Sequence, residues 1–106
     1  MEGFDVCLLL DFYGQLLTER MLHFLELHFA EDMSLAEIAE QENISRQAVH
    51  DAIMRGRRSL EEYESKLGLA ERFMRQRLVI KDAVDALDKN DTNRAHVILS
   101  ELMDTL

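Results

Sequence analysis

LAEIAEQENISRQAVHDAIM, residues 35–54, has the layout of two short helices joined by a tight turn. Such a helix-turn-helix needs a small residue where its helices cross and a turn residue that tolerates positive φ. It also needs a buried apolar residue after the turn and a branched one facing back from the second helix. Ala39 is placed for the crossing and Ile38 for the core beside it. Asn43 follows Ala39 by four positions, Ile44 is the apolar turn residue, and Val49 lies ten after Ala39.

The flanks agree with this reading. Ser34 and Glu37 form a capping-box pattern ahead of a short helix over about 35–41, with Met33 and Ile38 placed as a hydrophobic staple. Ser45 caps the second helix, which can run to Leu67 before Gly68 stops it. Upstream, Thr18 caps a helix to about Ala30, with Glu19 in the first turn and Leu22, Leu25 and Phe29 on the apolar side. A short N-terminal helix is expected over 4–13, its stripe formed by Phe4, Leu8 and Phe12, with Gly14 as its end. Downstream, a long helix over about 70–89 and a last one over 92–104, capped by Asp91 or Thr92, make a C-terminal extension.

Composition fits an all-α protein. Proline is absent and glycine occurs only four times, while good helix formers dominate. The 106 residues fit one domain, with the helix-turn-helix core at 18–67 and the helical extension at 69–106. No stretch approaches the roughly 18–20 apolar residues of a membrane helix, and the N-terminus is acidic where a secretory signal is basic. A cytoplasmic protein without membrane insertion is expected. Cys7 sits in an apolar stretch without basic neighbours in sequence and reads as a core thiol.

The net charge of −9 is unevenly distributed. Residues 1–44 hold 10 acids and 1 base, residues 45–81 hold 5 acids and 9 bases, and residues 82–106 hold 6 acids and 2 bases. The middle third is therefore the only basic part, where a nucleic-acid contact would have to lie. At 100° per residue, Val49, Ala52, Ile53, Gly56 and Leu60 face inward, whereas Arg46, Gln47, His50, Met54, Arg57 and Arg58 face out. Arg46 and Gln47 in the first turn suit guanine and adenine edges. Ser45 with the free helix-start amides suits a phosphate, and Arg55, Arg57 and Arg58 lie toward the DNA backbone. A second reading stays open: Arg57 and Arg58 have Glu61 and Glu62 within helical reach, and Asp51 precedes Arg55 by four. Ion pairs at these spacings would neutralise the face and leave a protein-docking scaffold.

Thr18 to Glu64 resembles region 4 of bacterial sigma factors, with SLAEIAEQENISRQAVHDAIMRGRRSLEEYE carrying the likeness. Asn43 departs from the glycine of many members, a mild change, and the other sigma domains have no counterpart here. The whole chain, with its short first helix and the extension after Gly68, is similar to the YlxM-type proteins of Gram-positive bacteria. That resemblance implies a DNA-binding regulator whose gene neighbours those of the signal recognition particle and its receptor. It makes the particle's protein or RNA an alternative partner, bound without duplex DNA.

The four histidines lack ligand spacing and no cysteine pair joins them, so no metal or cofactor is expected. Phosphate-cradling glycine loops, nucleophile elbows and metalloprotease motifs are missing, which argues against an enzyme. Phe73, Ile80 and Leu87 recur at intervals of seven in the long helix. They suit packing on the protein's own first two helices or on a second copy, and a homodimer interface is the preferred reading, since a chain this small has few elements to cover three amphipathic helices. Such a dimer would present two recognition helices to half-sites about 34 Å apart.

Overall fold

The computed structural model describes residues 5–106. The protein is all-α: the described residues form α1 (Val6–Tyr13), α2 (Glu19–Leu25), α3 (Leu35–Glu42), α4 (Arg46–Leu67), α5 (Leu69–Asp88) and α6 (Thr92–Thr105). A 3₁₀ turn, Gly14–Leu16, follows α1, and a π-helical segment, Glu26–Ala30, continues α2. None of these helices is long and apolar enough to cross a membrane.

Local chemistry fixes the helix ends. The side chains of Thr18, Ser34 and Ser45 accept hydrogen bonds from the backbone N–H groups of Met21, Glu37 and Ala48. Ser34 and Glu37 complete a reciprocal capping box. The Ser34 backbone N–H, then its hydroxyl, hold the Glu37 carboxyl below the usual carboxylate range. Asn43 closes α3 in the left-handed region at φ 56°, and Gly68 closes α4 at φ 64°. Of the two cap residues expected for α6, Asp91 accepts from Arg94 N.

The residues fall into two compact units, one ending at Ala70 and one beginning at Glu71. The first has a core of Leu9, Tyr13, Phe24, Leu25, Leu27, Ile38, Ala39, Val49, Ala52, Ile53, Leu60 and Ala70. Helices α1, α2 and α3 each pack on α4, whose inward row is the one its sequence spacing gives. Gly56 makes the α2–α4 crossing close, because a Cβ there would stand 2.7 Å from Leu25 Cδ1. In the second unit the buried residues are Ala83, Ala86 and Ala95.

Three details differ from the sequence expectation. Phe4 and Gly3 lie outside the described residues, and α1 buries Leu9 and Tyr13 while Phe12 is exposed and Leu8 only half-buried. VCLLLDFY is so apolar that several helical stripes fit it, and the hydroxyl partner of Tyr13 selects one. The stretch expected as one regular helix to Ala30 changes to π pitch at Glu26. The change lets both Leu25 and Leu27 enter the core, although two positions apart on an α-helix face different ways. Cys7 is half-buried rather than fully enclosed, with its Sγ 3.5 Å from the Phe29 carbonyl. Burial, then the charges of Asp5, Asp11 and Asp32, push its thiol pKa up, so it is a poor nucleophile.

Candidate nucleic-acid interface

The turn sets where α4 begins. Asn43 N–H bonds back to Ala39 and Glu40 carbonyls, and Ile44 N–H reaches the Ala39 carbonyl at 3.0 Å. This six-to-one closure satisfies the end of α3 while Ile44 tucks against the core. Ala39, 6% exposed, admits the close approach of α3 and α4. His23 of α2 meets Glu42 at the end of α3 across 2.5 Å, tying the first helix of the motif to the element before it.

With Val49, Ala52, Ile53, Gly56 and Leu60 buried, the opposite face of α4 is turned outward. Arg46, Gln47, His50, Met54, Arg55, Arg57 and Arg58 are all exposed. The Ser45 hydroxyl oxygen is occupied by Ala48 N–H at 3.0 Å, which leaves its own O–H to donate outward. Gln47 Nε2 donates to Asp51 Oδ1 at 2.9 Å, and His50 Nδ1 stands 3.5 Å from the same oxygen. Asp51 thus steadies the Gln47 amide with one of its two N–H groups, leaving the other and the carbonyl to present the donor–acceptor pair that matches adenine.

The arginines are arranged differently from the ion-pairing alternative. Among the described residues the ion pairs are His23–Glu42 and His50–Asp51, and neither involves an arginine of α4. Asp51, which could have met Arg55, is engaged by Gln47 instead. Helical Gln and Asp four apart are a favoured hydrogen-bonding pair, a signal the sequence carried. His50, Asp51, Met54, Arg55 and Arg58 line a shallow groove of about 510 Å³ on the outer face. Arg57 stands apart from that groove, its guanidinium 5.7 Å from the centre of the Phe29 ring in the π-helical segment. No sequence motif signalled that contact, because the π pitch places Phe29.

Residues 3–99 match the family model UPF0122, described as "Putative helix-turn-helix protein, YlxM / p13 like". The chain belongs to the UPF0122 family. A UPF0122 protein of Desulforamulus reducens is 47% identical over 94 residues, covering 89% of this chain and 80% of the relative. Another from Symbiobacterium thermophilum is 42% identical over 97 residues, covering 92% and 91% respectively. The UPF0122 protein of Halalkalibacterium halodurans is 43% identical over 98 residues, covering 92% and 90%. The match takes in α1 through α5 and most of α6, so UPF0122 membership extends beyond the helix-turn-helix.

Proposed function

We propose that this UPF0122 protein is a non-catalytic regulator in the cytoplasm that binds duplex DNA by laying α4 in the major groove. The observation that supports it most is the outer face of α4, where, among the described residues, none of the exposed arginines belongs to an ion pair and Gln47 is held by Asp51. Arg46 and Gln47 read base edges from the first turn. Ser45, Arg55, Arg57 and Arg58 hold phosphates, and His50 and Met54 fill the groove between them. The acidic segments 1–44 and 82–106 keep non-specific attraction low, so contact is confined to the basic middle.

Fluorescence anisotropy with random duplex DNA, repeated over a salt series, tests the reading. Neutralising about three or four phosphates gives a log–log slope near −3 to −4. Arg46→Ala/Gln47→Ala is expected to weaken binding about tenfold or more. A flat salt response, or duplex affinity unchanged in the double variant, removes the groove-reading role.

The same acidic flanks favour a second reading, an accessory protein of the signal recognition particle that meets its protein or RNA without binding duplex DNA. The titration therefore includes the particle's RNA. No duplex binding at low salt moves the assignment to this partner, with a pull-down of the particle's protein as the check.

A further inference from the structure

Helix α5 carries an uncovered apolar stripe with an ordered charge edge. Ile80, Val84 and Leu87 are 46%, 49% and 48% exposed, and at 100° per residue they share one side of the helix with Arg77. A groove of about 690 Å³ runs along the stripe, with Arg77, Ile80 and Lys81 in its lining. Ala83 and Ala86 are buried, so the stripe is a separate side of α5. Along its edge Arg77 and Lys81 come first and Asp88 last, with Asp85 further round, and all four are exposed. Among the described residues none of them belongs to an ion pair.

We infer that this stripe is the seat of α5 from a second copy of the chain, packed antiparallel about a two-fold axis between Ile80 and Val84. The apolar residues supply the attraction and the charges supply the direction. In the antiparallel arrangement Ile80 of each copy meets Val84 of the other. Leu87 lies on the aliphatic stem of Arg77, whose guanidinium reaches Asp88 of the second copy. Lys81 meets Asp85 near the axis. Each contact is made twice, as an isologous interface requires. A parallel, in-register pair instead sets the two Arg77 side chains against each other in the seam and leaves Asp85 and Asp88 facing the partner's uncharged opposite edge. The bases-then-acids order along one edge thus selects a second copy of this same helix, reversed. This inference is independent of whether α4 binds DNA.

Sedimentation of the full chain at micromolar concentration tests it, with circular dichroism checking that each variant stays helical. The wild type is expected to sediment as a dimer and Ile80→Asp as a helical monomer. Arg77→Asp places acid against acid at both ends and is expected to raise the dimer Kd about tenfold or more. Adding Asp88→Arg in the same chain restores the pairing in reversed sense and returns the dimer. A monomeric wild type overturns the inference, as does a dimer that Ile80→Asp leaves intact. An Arg77→Asp/Asp88→Arg variant no tighter than Arg77→Asp overturns the antiparallel arrangement.

Discussion

Tyr13 is fully buried, and its hydroxyl is shared among three elements. It donates to Glu64 Oε1 at 2.6 Å and accepts from Leu69 N–H at 3.0 Å, while the same Glu64 oxygen takes Ala70 N–H at 2.8 Å. Glu64, only 3% exposed, therefore places a carboxylate at the start of α5, where the helix dipole favours it. The Tyr63 ring stacks on Tyr13 with centroids 5.9 Å apart. Tyr13→Phe takes a donor from Glu64 and an acceptor from Leu69, and should lower stability by about 1–3 kcal/mol in urea unfolding. Burial, then the hydrogen bond to Glu64, raise the Tyr13 pKa. The fold thus holds the neutral phenol. That contribution is intact below the unfolded phenol's pKa of about 10 and is lost as pH rises through the higher folded value. Thermal melts into the alkaline range should show a steeper loss of stability in wild type than in Tyr13→Phe. None of this was readable in the sequence, where Glu64 is one acid in a charged run and only its distant partner explains its burial.

Helix boundaries were the most legible feature, because a cap is a bargain between residues three or four apart. Ser34 with Glu37, Ser45, Thr18, Asn43 and Gly68 act within that range and end their helices where the sequence places them. The exposed face of α4 was legible for the same reason, since its inward residues leave one orientation. What escaped depends on neighbours far along the chain: the side of α1 that turns inward, the π pitch of Glu26–Ala30, and the stacking of Arg57 on Phe29. Two substitutions test the geometry of these elements. Asn43→Ala should cost about 1 kcal/mol, because its left-handed backbone suits Asn and Gly but crowds an alanine Cβ, and Asn43→Gly should be close to neutral. Gly56→Ala improves helix propensity yet drives a methyl into fully buried Leu25, so a net loss of about 1–3 kcal/mol in chemical unfolding is expected.

Across the molecule, the apolar content is divided unequally between the two units. The unit ending at Ala70 contains large core side chains from four helices, whereas the buried residues of the other are three alanines. A peptide of residues 71–106 should accordingly show little fixed helix by circular dichroism when dilute. A chain ending at Ala70 should keep a cooperative thermal transition, since it retains Leu69, Ala70 and the Tyr13–Glu64 hydrogen bond. A cooperative melt of the dilute peptide would contradict the division. Charge follows a different partition, with the basic stretch at 45–81 running across the boundary from α4 into α5.

The bond between Tyr13 and Glu64 joins residues 51 apart, and this separation has a consequence for the newborn chain. At about 5–20 residues per second, the ribosome takes roughly 3–10 s to make the segment between them. The same delay separates the emergence of α1 from that of the helix on which it seats, and until then Leu9 and Tyr13 have no core to enter. The chain is therefore most vulnerable to sticking and to proteolysis early in its life, at its N-terminal end, until the last turns of α4 emerge and close over them.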